Sequence, residues 1–391
     1  MQTERVIHER IGELKDELIG LAREIHAHPE PGLAEHYACS IQTRLLKGVG
    51  FDVSTPVAGL DTAYGAAFDN GSPRVCYMAE YDALNGIGHG CGHNLIAAAS
   101  VGASIALRSA LKESGVAGSV VCLGTPGEEG MGGKVTMVKE GMFEGMDLAL
   151  MAHPSSLTTP DRGRLGVVRR RVVFHGQSAH AAASPQSGRN ALDALMLLFA
   201  GVNAWRQHLP DNTRLHGIVI EGGEAANIVP RQASCSFYLR GADARALDAM
   251  LARFEAIAQG AALMTATEAE IIEESTPYQA GRINSLLNSE YFSIAQRLGM
   301  EPVIGEPGRA SSDFGDVANV LPAAHVYFGI CRERIPGHSP EFARAANEDF
   351  AHQRMLLAAE ALALLGWRFC SDAAFGGDVT AEFRKPPTAS L

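Results

Sequence analysis

The chain has 391 residues, 46% hydrophobic and 20% charged, which is ordinary globular material and long enough for two domains with substantial cores. A formal net charge of −11 with no long Lys/Arg block sets the overall field against a phosphate backbone, so nucleic acid is excluded as an expected partner. Seven cysteines, an odd number without framework spacing and several of them inside apolar strand-like runs, suit a reducing cytoplasm.

Ile7, Ile11, Leu14, Leu18, Ala22 and Ile25 fall on one stripe of an amphipathic N-terminal helix, which is not a secretory signal. A Pro-rich break follows at His26-Ala27-His28-Pro29-Glu30-Pro31-Gly32, and residues 34–46 resume helical spacing. Short apolar runs at 75–79, 120–123 and 148–151 read as strands, with an apolar helix from about Asn94 between the first two. The longest mostly apolar stretch, 95–107, falls short of the roughly 18 to 20 residues that span a bilayer, so no membrane is expected as a partner. Alternating strands and helices predict an α/β sandwich with a largely parallel sheet.

Near Gly163 the texture changes, because Val167 to Phe174 mixes β-branched residues with Arg169, Arg170 and Arg171, as a sheet with one solvated face does. A helix at 189–208 (stripe Leu192, Leu195, Met196, Phe199, Val202), strands at 215–220 and 233–240, a helix at 242–259 and a strand at 268–272 complete a β-α-β-β-α-β, ferredoxin-like order. Beyond it come a helix at 282–298, a Gly/Pro-rich segment to Asp316, a strand at 324–328, the His338 loop and one long helix at 341–365. The tail from Ser371, ending Lys385-Pro386-Pro387-Thr388, lacks periodicity and reads as a loose extension. The predicted organisation is therefore a discontinuous α/β domain, 1–165 and 277–391, interrupted by an α+β domain at 166–276.

Four clusters carry the chemistry. Gly88-His89-Gly90-Cys91-Gly92-His93-Asn94, Gly127-Glu128-Glu129-Gly130, His153-Pro154 and Pro336-Gly337-His338-Ser339-Pro340 each set metal-ligand residue types among Gly and Pro just beyond an apolar run, where strand-end sites are built. Thiolate, imidazole and carboxylate suit zinc and similar ions, and a metal pair about 3.5 to 4 Å apart needs a bridging ligand plus terminal ones. Cys91, His93, Glu129, His153 and His338 supply five ligands. Glu128, next to the ligand Glu129, is placed to take a proton from the bound water, and Asp82, just after a strand, to hold the second N–H of a ligating imidazole. His89 stays outside the ligand set, and His26, His28 and His36 read as surface or satisfied side chains.

Together with Glu80-Tyr81-Asp82-Ala83-Leu84, Gly176-Gln177-Ser178-Ala179-His180-Ala181 and Gly222-Gly223-Glu224-Ala225-Ala226-Asn227-Ile228-Val229-Pro230, these clusters appear in one order, and the chain resembles the M20 metallopeptidase family along almost its whole length. The similarity is to the amidohydrolase branch whose Cys-Gly-His motif replaces the usual metal-binding Asp. It implies a lid domain that commonly dimerises, Glu128 as general base, His180 as a lid residue that helps hold the oxyanion, and Asn227 as a substrate contact. Asn94 in place of Asp after Cys-Gly-His, Glu80 in place of Asp, and Ala310-Ser311-Ser312-Asp313-Phe314-Gly315-Asp316-Val317 look like the subgroup with the aminobenzoyl-glutamate hydrolase B chain and the mammalian M20-domain dipeptidases.

The expected protein is a cytoplasmic, homodimeric amidohydrolase with two divalent ions, zinc first with manganese or cobalt as alternatives. It would cleave a small N-acyl amino acid or dipeptide-like substrate with a free carboxylate, held by Asn227 and Arg240, with Arg231 and Arg309 competing for that role. Two other readings make Cys91 a thiol nucleophile, or make the chain a metal-binding protein without turnover.

Overall fold

The computed structural model describes residues 2–386 and divides into two compact units, one of residues 2–163, 281–308 and 313–386, the other of 164–280 with 309–312. In chain order, the first unit begins with α1 (Gln2–Glu13), α2 (Lys15–Ala27), α3 (His36–Gly48), β1 (Asp52–Ser54), β2 (Tyr64–Phe68), β3 (Arg74–Ala79), α4 (His93–Ser114), β4 (Ser119–Gly124), α5 (Gly133–Lys139) and β5 (Leu148–Ser155). The predicted N-terminal stripe is buried, from Ile7 to Ile25. Helix α4 is longer than its apolar run suggested. At 22 residues it is long and apolar enough to cross a bilayer, but it starts at His93 and is buried between β3, β4 and β5 on one side and α1 and α2 on the other, so it serves as the core helix.

The second unit consists of β6 (Gly166–His175), α6 (Ala191–Arg206), β7 (Arg214–Glu221), β8 (Gln232–Gly241), α7 (Ala244–Thr265) and β9 (Glu268–Glu273). Its four antiparallel strands lie in the order β7-β8-β6-β9, the ferredoxin-like arrangement expected from the element order. Val172, Phe174, Cys235 and Phe237 face inward against Leu195, Leu198 and Phe254 of the two helices. Asn190 and Asp243 cap those helices with side-chain oxygens. The buried stripe of α6 is turned from its predicted position: Ala194 and Leu198 replace Met196, which is 61% exposed.

The chain then returns to the first unit with α8 (Ser285–Arg297), α9 (Phe314–Val317), β10 (Ala323–Gly329), α10 (Pro340–Ala345), α11 (Asp349–Ser371) and α12 (Ala373–Arg384). Its six strands are ordered β1-β2-β4-β3-β5-β10. The pairs β3–β4, β3–β5 and β5–β10 are parallel, and the β1–β2 and β2–β4 pairs antiparallel, which makes the sheet mixed. The order turns at β3, with β4 on one side and β5 and β10 on the other, so the C-terminal ends of these strands frame a crevice of the kind in which α/β proteins bind ligands.

Two C-terminal elements differ from the sequence expectation. The single helix at 341–365 is two helices, because Pro340 and the Ser339 cap start a short α10 and the chain turns at 346–348 before α11. The Ala346 carbonyl freed by that break accepts the Asn94 side-chain amide. The tail from Ser371 is not a loose extension: Asp372 accepts the N–H groups of Ala374 and Phe375 and starts α12, whose Val379 is buried, while Pro387 and Thr388 lie outside the described residues.

Candidate metal centre

The crevice collects side chains from four strand ends. Cys91 comes from the turn after β3 and His93 from the first residue of α4 that follows it, Glu128 and Glu129 from the turn after β4, His153 from β5, and His338 from the loop after β10. Their donor atoms form three overlapping groups, each within 4.8 Å: Cys91, His93 and His153; Cys91, Glu129 and His338; His93, Glu128 and Glu129. Cys91 belongs to the first two groups. His93 and Glu129 each belong to two groups as well, but Cys91 is shared by the two groups that together contain all five ligand side chains, with two imidazoles in one and a carboxylate and an imidazole in the other.

Local backbone chemistry explains the convergence. Gly92, between the two ligands of the turn, has φ of +74°, and a Cβ there would lie 2.6 Å from the Pro154 ring beside His153, so only glycine admits this approach. His338 also has positive φ, +59°, a strained state for a non-glycine residue, and is held by its N–H on the Gly90 carbonyl at 2.9 Å. Strain of this kind concentrates at sites that need an exact side-chain direction.

Asp82 fixes two ligands at once. Its Oδ1 accepts the His93 Nδ1–H at 2.9 Å and its Oδ2 accepts the Glu129 N–H at 2.9 Å. Burial works against its charge, but His93 and the Glu129 N–H outweigh burial and hold its carboxyl at about 2. With Nδ1 engaged, His93 Nε2 is a buried ring nitrogen without a hydrogen-bond partner among the described residues, directed at the ligand cluster. His153 shows the same polarity, since its Nδ1–H donates to the Pro154 carbonyl at 2.7 Å and burial pushes its pKa down to about 4, leaving a neutral ring with a free Nε2 lone pair. One thiol, a carboxylate and three imidazoles, two of them with the tautomer set in this way, fit a pair of zinc-like divalent ions. Replacing Asp82 by alanine is expected to weaken metal binding about 10- to 100-fold, measurable by calorimetric titration.

The adjacent glutamates are driven apart in proton affinity. Burial, then the charges of Glu129, Glu80 and Asp313, push Glu128 well above the ordinary carboxylate range. Glu129 is lowered despite burial by His338, His93 and Cys91, whose Sγ–H donates to it at 2.7 Å. A pair split like this divides its roles into a ligand and a proton carrier. Burial, with Glu129 adding to it, raises the Cys91 thiol, so the thiol is a poor nucleophile without a cation beside it.

The metal-free protein carries a testable mark of this burial. His153 titrates lower in the folded chain than its reference value of 6.5. Between about 6.5 and about 4 the unfolded chain therefore binds the proton better, and stability falls as pH drops through that window, by on the order of 3 kcal/mol. Urea unfolding of chelator-treated protein at pH 7 and pH 4 should show a smaller difference in His153→Gln than in wild type.

The residues assigned to substrate lie in the second unit. His180 and Asn227 are neighbours there: Ala181 donates its N–H to the Asn227 carbonyl, and His180 pairs with Ile228. The His180 Nδ1 accepts the N–H groups of Ala182 and Ala183 at 3.2 and 3.1 Å, which puts the proton on an outward Nε2 donor in the neutral ring. Arg240 stands apart from this pair and donates to the Ser311 hydroxyl at 2.6 Å, whereas the competing Arg231 is paired with Glu224.

His89 is buried, donates Nε2–H to the Ile25 carbonyl and points away from the ligand cluster. Asn94 also faces away, donating to the Ala22 and Ala346 carbonyls, so its missing charge touches no ligand. Sequence reasoning missed Glu35, a fully buried carboxylate that accepts the Gly127 N–H at 2.8 Å and so supports the Glu128 turn, and Lys134, an ammonium buried beside Glu80 and Asp313. The signal for Asp313 was its motif, which carried no chemistry on its face. Lys134 had none, since a lone Lys in a helix reads as solvated.

Residues 162–264 match the family model described as a peptidase dimerisation domain. The chain is 35% identical over 381 residues to a Xaa-Arg dipeptidase of Mus musculus, covering 91% of this chain and 86% of that protein. It is 30% identical over 433 residues to the B chain of the p-aminobenzoyl-glutamate hydrolase of Escherichia coli K12, covering 92% and 90%. Among solved structures, a putative aminohydrolase from methicillin-resistant Staphylococcus aureus superposes with a TM-score of 0.77 at 20% identity, covering 93% of this chain and 99% of that one. A Bacillus subtilis dinuclear metal-binding peptidase of the M20 family superposes at 0.66 and 18% identity, covering 90% and 99%. At these identities the two structures share the fold.

Proposed function

The chain belongs to the M20 family of metal-dependent peptidases and amidohydrolases, and from that premise we propose that it hydrolyses the amide bond of a dipeptide or a small N-acyl amino acid, aminobenzoyl-glutamate included, with two divalent ions. The observation that carries this reading is the pair of donor groups sharing Cys91, with Glu128 set against His93 and Glu129. Cys91, His93 and His153 would hold one ion, and Cys91, Glu129 and His338 the other. When bound, the ions acidify a water and polarise the scissile carbonyl; zinc suits the donor set, and manganese or cobalt can replace it.

The protein's own groups do the rest. Glu128 takes the proton of the attacking water and returns it to the leaving amine, a task for a carboxylate with raised proton affinity. Asp82 keeps His93 and Glu129 oriented through the cycle. His180 donates its Nε2–H to the oxyanion that develops on the substrate and Asn227 contacts the substrate beside it, while Arg240, apart from that pair, is the candidate for the substrate carboxylate.

A homodimer through the second unit fits its sheet edges. The edge strand β9 carries Glu268, Glu270 and Glu273, which discourage pairing, while the opposite edge β7 exposes Ile218, Val219 and Ile220 at 67, 51 and 45%. Seven free cysteines suit a reducing cytoplasm.

The test is a hydrolysis screen of the purified protein loaded with Zn²⁺ or Mn²⁺, offering dipeptides with basic and neutral C-terminal residues, aminobenzoyl-glutamate and N-acetyl amino acids. Metal-dependent release of a free amine from at least one class is expected. No turnover on any of them with two ions bound would favour metal binding without catalysis.

A further inference from the structure

Lys134 is fully buried at the start of α5, with its Nζ 2.6 Å from Glu80 Oε1 and 2.6 Å from Asp313 Oδ1. Asp313 grips it twice, because its Oδ2 also accepts the Lys134 backbone N–H at 3.0 Å. Gly133 makes this turn possible, since a Cβ there would lie 1.8 Å from the Pro126 carbonyl oxygen. The other oxygen of Glu80, Oε2, lies 3.4 Å from His93 Nε2, the nitrogen that Asp82 leaves free for metal. Two donors bound at about 2.0 to 2.1 Å to one tetrahedral ion are about 3.3 Å apart, so Glu80 stands at the spacing of a further ligand.

A hydrolytic ion needs a coordination position kept open for substrate, and a sixth protein donor would fill it. Fastening alone does not account for the ionic cluster. Met78 of β3, Met137 of α5 and Phe314 of α9 already join the same elements in an apolar cluster, and buried ion pairs stabilise a core no better than apolar groups of similar volume. We propose that Lys134, clamped by Asp313, is a positioning residue that withholds the Glu80 carboxylate from the metal pair and so keeps a coordination position free. Lys134 donates a charge-assisted hydrogen bond to Asp313 Oδ1 and forms a close, fully buried ion pair with Glu80 Oε1, and an opposite charge at that distance in a buried setting suits a group that must compete with a divalent cation for a carboxylate.

This inference rests on the dinuclear reading, and Co²⁺ titration of the full-length protein separates the two. Wild type should bind two Co²⁺ with visible absorption and a thiolate charge-transfer band; no Co²⁺ binding would defeat the dinuclear reading and this inference with it. In Lys134→Met, Glu80 is released to the ion at His93. The visible bands should weaken at least about twofold and the Co²⁺ dissociation constant fall about tenfold, as an added carboxylate ligand requires. Lys134→Arg should keep the wild-type spectrum, and Glu80→Gln/Lys134→Met should return to it. A Lys134→Met protein with wild-type spectrum and affinity, or a double variant that keeps the altered spectrum, overturns the proposal while leaving the metal pair intact. Should Lys134→Met not fold, crystals of Co²⁺-loaded wild type decide: both Glu80 oxygens should stay beyond about 2.5 Å from either ion, and a Glu80 oxygen bonded at about 2.1 Å overturns the proposal.

Discussion

Glu128→Gln is expected to lower kcat by about 10²- to 10⁴-fold while the protein keeps two metal ions per chain. The five ligand side chains are untouched by this change, and Gln fills the same space without accepting a proton. Glu128 is raised in proton affinity by burial and by the negative charges of Glu129, Glu80 and Asp313, which places it closer to the proton affinity a base needs near neutral pH. Because the base must be unprotonated, wild-type kcat/KM should rise with pH across its acidic limb. The variant should lose that limb along with its turnover. Steady-state kinetics over pH, with metal counted by atomic emission on the same samples, checks both halves. Wild-type turnover in a metal-replete Glu128→Gln would remove Glu128 from the proton path.

Complete removal of metal by a chelator should abolish hydrolysis, and Zn²⁺, Co²⁺ or Mn²⁺ should restore it. This is the largest effect the account predicts, and it separates the rival that uses Cys91 as a nucleophile, since thiol catalysis would survive chelation and be abolished by alkylation. The structure weighs against that rival. Cys91 is 8% exposed, and both burial and Glu129 hold its proton on, so its thiolate form depends on a neighbouring cation. Activity that persists at chelator concentrations leaving less than one ion per chain would reverse this preference.

The ligand types were legible in the sequence because each stands beside Gly or Pro at the end of an apolar run, and the parallel order of β3, β4, β5 and β10 then brings those ends into one crevice. The β-α-β-β-α-β order of the second unit was legible for a different reason, since β-branched residues mixed with charges, as in Val167 to Phe174, mark strands of a sheet with one solvated face. Strands β1 and β2 escaped notice because Asp52–Ser54 is only three residues long and Tyr64–Phe68 carries a glycine and two alanines in place of β-branched residues. The break before α11 escaped because Phe342, Ala345 and Ala346 continue the apolar spacing, and the partner that accommodates it, the Asn94 amide on the Ala346 carbonyl, is distant in the chain. Lys134 and Glu35 escaped for a different reason: a charge is buried only where the fold supplies its counter-groups, and these come from chain segments 179 and 92 residues away. The resemblance to a known family supplied His180 and Asn227, residues that spacing alone reads as a turn and a capping position.

Anomalous diffraction from crystals of zinc-loaded protein, with data on both sides of the zinc edge, tests the shared-thiolate site most directly. The account predicts two peaks per chain about 3.5 to 4 Å apart. Cys91 Sγ should contact both, His93 and His153 one of them, and Glu129 and His338 the other. A single peak, or a pair of peaks held by other side chains, would contradict it.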